Sequence, residues 1–379
     1  MYQGCVMIPV FKPSYGPEEL AAVDRVLQSG WTGLGPEVAK FEIEFAEYIG
    51  TKHAVATNSC TAALHMAVLC LPEDDERDGV ITTPITFVST NHAILHGGKK
   101  PYFCDVEPDT LNIDPDKIPV EFLEKSCAIM CVHFGGHSCD MHKLQALADT
   151  YNLKIIEDAA HACGGRHYWH KLGSVGDIGC FSFHAVKNLS CGSGGMITTN
   201  DKDVADKVRS LRWLGVDSST WDRAKDAYSW EYDITGLGLA YYMNDISAAI
   251  GRVQLKKLDY ANALRASLAD RYNAAFSNTG EIEVPTKKNY AQSSWHNYVI
   301  KVGGRDELHK SLQVAGIGSS VHYKPNTLYS TYLGYEASCP VAMEMWPQLL
   351  TLPLYPDLEE QAQAYIIDSV LYHTATWRA

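Results

Sequence analysis

The sequence lacks a long apolar run, an excess of basic residues and any repeated or low-complexity segment. Its most apolar helical stretch, residues 60–71, is too short to span a bilayer and contains His65. Lysine and arginine number 32 against 45 aspartate and glutamate residues, which gives a net charge of −13. A non-specific nucleic-acid binder needs a basic surface that displaces counterions. The composition therefore favours neither a membrane nor a nucleic acid as partner.

The pattern of a secreted protein is also missing. The first ten residues contain no basic region followed by an apolar core, so we expect no signal peptide. The 11 cysteines are odd in number and scattered through apparent strands and helices. In a chain of this length, that distribution predicts reduced, buried cysteines and a cytoplasmic location rather than a disulfide framework.

Apolar runs alternate with helical patterns through the first two thirds of the 379 residues. Continuous apolar runs are typical of strands that are covered on both faces, so we expect a mostly parallel α/β sheet with helices on either side, a three-layer fold. A long helix is predicted over residues 245–276, followed by a smaller α/β region. We therefore expect a large domain over residues 1–250 and a small domain over residues 251–379, onto which the N-terminal segment can pack.

A lysine and an aspartate follow two of the predicted strands. Lys187 comes a few residues after an apolar strand and is followed by a glycine-rich turn, whereas Asp158 closes a neighbouring strand. Apolar walls lower the pKa of an ammonium group and make it a usable nucleophile. This pair suits a pyridoxal phosphate (PLP) enzyme, in which a lysine forms the Schiff base and a carboxylate keeps the pyridinium nitrogen protonated. From these residues alone, a solvated lysine beside a glycine turn is equally plausible.

Further candidates for such a cofactor site follow other strands. Cys60 and Thr61 begin a helix whose N-terminus suits a phosphate, and Ser182 can supply a hydroxyl to the same group. Phe87 can stack on a pyridine ring, and His161 can donate a hydrogen bond to the phenolic oxygen of the cofactor. The alternatives are a plain helix cap, a core phenylalanine and a loop histidine.

A group of cysteines and histidines has the spacing of metal ligands, but we do not predict that it binds a metal ion. Cys131 and His133 are followed closely by Cys139 and His142. The first two lie within an apolar strand, and the glycine pair after them is typical of a turn into a helix. Buried cysteines are commonly small apolar core residues, so we predict no metal site.

Seven ordered motifs resemble those of one enzyme family over nearly the whole chain. The motifs are IPVFKP from Ile8, SGWTGLGP from Ser29, NSCTAALH from Asn58, TPITFVST from Thr83, EDAAHA from Glu157, FSFHAVKNL from Phe181 and VHYKP from Val321. This order and spacing resemble the DegT/DnrJ/EryC1/StrS family of PLP-dependent nucleotide-sugar aminotransferases, which belongs to the aspartate aminotransferase superfamily of fold type I.

The resemblance implies a role for each candidate residue. Lys187 corresponds to the Schiff-base lysine, which also moves the proton during transfer, and Asp158 to the partner of the pyridinium nitrogen. His161 corresponds to a contact of the cofactor ring. The remaining implied roles are the phosphate site for Cys60, Thr61 and Ser182, the stacking ring for Phe87, and the substrate pocket for Trp31, Thr32, His322 and Tyr323.

Two motifs depart from the family pattern. Ala240 and Tyr242 stand where the family has an asparagine, which reaches the phosphate of the partner subunit, and an arginine. Asn244 is the candidate replacement for that asparagine, at a different position. Ser193 replaces an acidic residue in the glycine-rich turn. The resemblance implies a homodimer with shared active sites, and these departures concern the contact between its subunits.

The family resemblance implies a transamination in which an amino acid, expected to be glutamate, is the donor and a nucleotide-linked keto-sugar is the acceptor. Three alternatives stay open. A PLP-dependent sugar dehydratase of this family often has histidine in place of the lysine, whereas Lys187 is present here. A keto-cyclitol can be the acceptor, or the protein can bind PLP as a regulator without turnover.

Overall fold

The computed structural model describes residues 7–74, 76–216, 231–335 and 338–375. A seven-stranded sheet forms its largest layer, with the strands in the spatial order His53–Thr57, Gly195–Thr199, Ile178–Ser182, Lys154–Asp158, Ser126–Val132, Gly79–Thr82 and Lys100–Phe103. The strand Gly195–Thr199 runs in the opposite direction to the other six strands. The prediction of a three-layer α/β fold with a mostly parallel sheet is confirmed.

The helices of the described residues cover the sheet and build the C-terminal part of the chain. Every residue of the strand Ser126–Val132 is buried, as expected for a strand with helices on both faces. The helices are Pro17–Ser29, Pro36–Ile49, Cys60–Leu69, Ser89–His96, Val120–Lys125, Met141–Tyr151, Lys202–Arg212, Asp245–Phe276, Arg305–Val314, Pro340–Met345 and Glu360–Ala375. None of these helices is long and apolar enough to cross a membrane.

The helix Asp245–Phe276 connects two apolar cores. Its first half contributes Leu255 and Leu258 to the core beside the large sheet, and its second half contributes Tyr272 and Phe276 to a second core. That second core contains a three-stranded antiparallel sheet of Ile282–Glu283, Tyr298–Val302 and Leu349–Leu352. A further small sheet is formed by Arg166–His167, His170–Lys171 and Ala291–Gln292.

The N-terminal segment is bonded to the C-terminal part of the chain. The Ile8 amide donates to Gly316 O at 2.9 Å, and the Gly318 amide donates to Ile8 O at 2.8 Å. The Leu354 amide donates to Val10 O at 3.0 Å. These bonds join the N-terminal segment to residues beyond 315, while the division into domains at residue 250 stays a prediction.

Ten cysteines lie within the described residues; all are free and all but Cys70 are buried. Cys5 lies outside the described residues. Within the described ranges, no group of three or more His, Cys, Asp and Glu residues is arranged to hold a metal ion. His133 uses both ring nitrogens in hydrogen bonds within the protein, since Nδ1 accepts from the Cys139 amide at 3.2 Å and Nε2 contacts Glu157.

A buried carboxylate fixes the strand that ends at Asp158. Both side chains of the His133–Glu157 pair are fully buried, with Nε2 of His133 2.9 Å from Oε2 of Glu157. Glu157 also accepts from the amides of Gly173, Val175 and Gly176 at 2.7–2.8 Å. Burial alone would raise the pKa of Glu157, but the hydrogen bonds from His133 and the backbone outweigh it and lower the pKa.

We expect Glu157→Ala to cost about 3–5 kcal/mol of unfolding free energy, because a buried histidine and three backbone amides lose their acceptor. The measurement is the midpoint of thermal unfolding. The control is Glu121→Ala, which removes an exposed pair with Lys125 and is expected to cost no more than about 0.5 kcal/mol. Equal midpoints for the two variants would contradict the assignment.

Candidate active site

The carboxyl ends of the parallel strands open into a cavity of about 340 Å³. Ligands of doubly wound sheets bind at this edge because the strand ends and the helix N-termini converge there. The segment around His322 closes the cavity from the C-terminal part of the chain. The predicted site residues that line it are Cys60, Thr61, Phe87, Asp158, His161, Ser182, Lys187, His322 and Tyr323.

Asp158 is a buried carboxylate in the lining of the cavity. Its Oδ2 accepts from the Thr90 hydroxyl at 2.7 Å, and its Oδ1 accepts from the Ala160 amide at 3.0 Å. The Thr90 hydroxyl is fixed in turn by Thr86 at 2.8 Å. Burial raises the pKa of Asp158 despite these bonds, so the ionised form is destabilised in the absence of a cation. A protonated ring nitrogen is the kind of partner that reverses this penalty.

Lys187 lies in a tight return between two neighbouring strands. The Phe183 amide donates to Gly194 O at 2.8 Å, and the Ala185 amide donates to Gly192 O at 3.1 Å, which folds the turn back on itself. A Cβ atom on Gly194 would lie 2.5 Å from the terminal methyl of Met243 and 2.8 Å from Sγ of Cys191, so a larger residue there would displace these side chains. Burial lowers the pKa of Lys187 to about 8, and the nearby Cys60 and Asp158 oppose that shift. The amine is therefore partly deprotonated near neutral pH.

The N-terminus of helix Cys60–Leu69 faces the cavity. Ser59 caps this helix, since its hydroxyl accepts from the Ala62 amide at 3.1 Å. A Cβ atom on Gly195 would lie 2.5 Å from the backbone of Ser59, so strand and helix start meet without a side chain between them. Burial holds the pKa of Cys60 well above its ordinary value, so its thiol is neutral. Free amides and the helix dipole suit an anion at this point.

Ser193, one of the departures from the family pattern, joins the glycine turn to this helix start. Its hydroxyl donates to Asn58 O at 3.0 Å. The Asn58 side chain donates to Ala240 O at 3.3 Å, and its amide donates to Tyr241 O at 2.7 Å. The second departure, Ala240, thus packs through its backbone against the residue that precedes the helix cap.

His161 and Tyr323 are hydrogen-bonded to each other on one side of the cavity. Tyr323 Oη lies 3.0 Å from Nε2 of His161, and the Gly135 amide donates to Nδ1 of that histidine at 3.4 Å. With Nδ1 as acceptor, Nε2 carries the proton and donates to Tyr323 Oη. The phenol is then free to donate into the cavity. Burial, with Lys187 and His322 nearby, holds the pKa of His161 well below its ordinary value.

His296 is a site residue that the sequence reasoning missed. Its Nε2 lies 3.3 Å from Lys187 Nζ, and its ring centroid lies 4.5 Å from that of His161. Phe11 from the N-terminal segment stacks on the other side at 5.2 Å. Burial and then the charge of Lys187 hold the pKa of His296 well below its ordinary value. No motif marks this residue, because it precedes a strand of the smaller sheet and reaches the site only through tertiary packing.

Three predicted residues do not line the cavity within the single chain described. Trp31 donates through its indole to Leu34 O at 3.1 Å, and Thr32 accepts from the Asp245 amide at 3.2 Å through its carbonyl. Asn244 caps the long helix, since its Oδ1 accepts from the Ser247 amide at 2.8 Å. Their roles toward a sugar and toward the cofactor of a partner subunit stay predictions.

Known proteins resemble this chain in sequence and in fold. The chain matches the model of the DegT/DnrJ/EryC1/StrS aminotransferase family over residues 13–371. It belongs to that family. The chain is 40% identical over 374 residues to the spore coat polysaccharide biosynthesis protein SpsC of Bacillus subtilis. The alignment covers 96% of this chain and 96% of SpsC.

Solved structures agree with the family assignment. PseC of Helicobacter pylori, an aminotransferase involved in the biosynthesis of pseudoaminic acid, superposes with a TM-score of 0.92 at 28% identity and covers 98% of this chain and 100% of its own. Spr1654 of Streptococcus pneumoniae, a putative sugar aminotransferase solved in its PMP form, gives a TM-score of 0.89 at 30% identity, with 97% and 99% covered. The present protein is a PLP-dependent enzyme of this aminotransferase family, with fold type I, as the motifs predicted.

The residues of the cavity fit PLP. A buried carboxylate with its pKa raised by burial, an amine with its pKa lowered and a helix N-terminus with small residues lie around one space. These groups match a ring nitrogen, an aldehyde carbon and a phosphate, respectively. Gly195 lies close to the Ser59 backbone. The start of the strand Gly195–Thr199 therefore lies directly against the N-terminus of the helix Cys60–Leu69, the end that suits an anion.

We expect the acylation rate of Lys187, in protein freed of cofactor, to rise with a midpoint near pH 8, because only the deprotonated amine reacts. In the unfolded chain the midpoint should be about 10.4. Asp158→Asn should lower the folded midpoint further, since it removes a negative charge that stabilises the ammonium. The measurement is mass spectrometry of the labelled peptide, and a folded midpoint near that of the unfolded chain would refute the assigned desolvation.

Proposed function

We propose that this enzyme transfers an amino group from an amino acid, with glutamate as the expected donor, to a nucleotide-linked keto-sugar in amino-sugar biosynthesis. The observation that carries the proposal is the desolvated amine of Lys187 in one cavity with the carboxylate of Asp158. Support for a sugar comes from relatives described as sugar aminotransferases, including Spr1654 and CalS13 of Micromonospora echinospora. SpsC, a spore coat polysaccharide biosynthesis protein, points the same way.

Two groups of this chain act directly in the proposed reaction. PLP, when bound, supplies the electron sink for the transfer. Asp158 keeps the ring nitrogen protonated, and its own bonds to Thr90 and Ala160 hold both carboxylate oxygens in place. Lys187 attaches the cofactor and, once released, carries the proton between the two carbon atoms that exchange it. An amine with a pKa of about 8 can both give and take that proton near neutral pH.

His296 acts as a positioning residue for Lys187. A neutral imidazole 3.3 Å from Nζ accepts a hydrogen bond from the amine and directs it along one side of the cavity. Phe11 and His161 hold the ring on either side, with centroid distances of 5.2 Å and 4.5 Å. Tyr323, which His161 orients, supplies a hydroxyl donor for the phenolic oxygen of the cofactor or for substrate.

The proposed substrate-binding part of the site rests on the exposed side chain of Phe87 and on the family resemblance. Phe87 is 57% exposed and lies 6.2 Å from the Tyr323 ring, so it presents an apolar face at the cavity. Such a face suits both the pyridine ring and the apolar side of a sugar.

We further propose a cytoplasmic homodimer in which Trp31, Thr32 and Asn244 serve the active site of the partner subunit, and a domain division at residue 250.

We expect Lys187→Ala to abolish the visible absorbance of covalently attached cofactor and to lower turnover by about a thousandfold or more. The control is Lys202→Ala, which removes an exposed lysine paired with Asp206 on a distant helix. In the unaltered enzyme, glutamate alone should convert the cofactor absorbance without any sugar. A non-catalytic PLP-binding protein would leave that absorbance unchanged, and a coloured, active Lys187→Ala enzyme would refute the role of the lysine.

We expect His296→Phe to lower the pH midpoint of Lys187 acylation below its value of about 8, because the ammonium loses a hydrogen-bond acceptor. His296→Gln keeps an acceptor oxygen and should shift the midpoint less. A merely structural role for His296 predicts a loss of stability in both variants with no change of the midpoint.

A further inference from the structure

A second, smaller cavity adjoins Lys187. It has a volume of about 150 Å³ and lies between the N-terminal segment, the long helix and the loop that contains Asp357. Lys187 lines both this cavity and the larger one, so the two spaces meet at the residue that carries the reactive amine.

Most polar groups that line the smaller cavity already have partners in the protein. Lys257 is bonded to Glu18 at 3.1 Å and to Glu19 at 2.8 Å. Gln254 donates to Ser14 O at 2.8 Å, and Asp357 accepts from the Ser14 hydroxyl at 3.0 Å. These bonds hold the N-terminal segment against the long helix and leave little hydrogen-bonding capacity directed at a ligand.

Arg265 is the first of two exceptions among these groups. Its side chain is only 5% exposed, yet its Nε and Nη1 have no hydrogen-bond partner within the described residues. Burial lowers the pKa of Arg265 to about 10, and Asp357 opposes that shift without forming an ion pair with it. A buried guanidinium without a partner is costly, since each lost hydrogen bond leaves charge desolvated and uncompensated.

A carboxylate is the ligand that compensates such a group. The planar fork of a guanidinium binds the two oxygens of a carboxylate through parallel hydrogen bonds. The same cavity contains Asn188, whose Nδ2 donates to Asn262 and Ser294 while its buried Oδ1 has no partner within the described residues. One cavity is thus lined by a residue with an unpartnered acceptor and by a residue with an unpartnered cation, a combination that suits a carboxylic acid with an N–H or O–H donor.

We propose that Arg265 binds the carboxylate of a small organic acid in the cavity beside Lys187. This inference rests in part on the proposed function, which supplies two members of that class, the amino-acid donor and the oxo acid it leaves behind. A free acid that takes no part in the reaction shares the same chemistry. The position next to Lys187 places the carboxylate near the amine that the donor must displace.

The test is the affinity of the holoenzyme for glutarate, a dicarboxylate without an amine, measured by isothermal titration calorimetry. Arg265→Gln should weaken glutarate binding by at least about tenfold, since it removes a charge-assisted, bidentate contact. The control is Arg271→Gln on the same helix, which removes an exposed pair with Glu360 and should leave the affinity within about twofold. Equal glutarate affinity in Arg265→Gln and the unaltered enzyme overturns the proposal, as does no binding at all.

A second variant covers the case in which Arg265→Gln fails to fold. Asp357→Asn alters an exposed residue and removes the carboxylate that faces the guanidinium. It should tighten glutarate binding by about threefold or more, because a competing negative charge is lost. An unchanged affinity in this variant counts against the proposal.

Competition with the donor distinguishes the sources of the carboxylate. If glutarate raises the glutamate concentration needed to convert the cofactor absorbance, the site belongs to the amino donor. If glutarate binds through Arg265 without that effect, the site takes a free acid. Should glutamate fail to convert the cofactor while glutarate still binds through Arg265, the proposed function fails and the carboxylate site stands.

Discussion

The removal of water from two groups of opposite charge is the constraint on which the rest of the site depends. Lys187 and Asp158 have pKa values shifted in opposite directions by the same cause, burial at the edge of the sheet. Each shift prepares its group for the cofactor: the amine becomes nucleophilic, and the carboxylate gains most when a cation faces it. The antiparallel strand Gly195–Thr199 makes this possible, because it returns the chain past the lysine and closes the turn against the helix start.

The parts of the site that lie next to strand ends could be predicted from the sequence. Asp158, Ser182 and Lys187 follow apolar runs, and parallel strands bring such positions to one edge of a sheet. Cys60 and Thr61 carry their own local signal, a cap followed by an apolar helix. The predicted fold needed only the alternation of apolar runs and helical patterns, and the family motifs then assigned a role to each residue.

The parts that depend on packing between distant segments could not be predicted. His296 is 109 residues away from Lys187 along the chain, and the sequence around it predicts only the start of a buried strand. Arg265 lies within a helix whose pattern indicates only that it is long. The sequence shows Ser193 and Ala240 only as departures from the family pattern. In the structure, Ser193 donates a side-chain hydrogen bond and Ala240 accepts one through its backbone, and both bonds involve Asn58.

The bonding of the N-terminal segment to the C-terminal part of the chain sets the order in which the enzyme can mature. Phe11 stacks on His296, while Ile8 and Val10 are bonded to residues beyond 315. During synthesis the large sheet has all its strands by residue 199, but the walls that desolvate the amine arrive a hundred residues later. We therefore expect the lysine of a nascent chain to stay hydrated until this long loop closes, since the residues that complete its burial are made last.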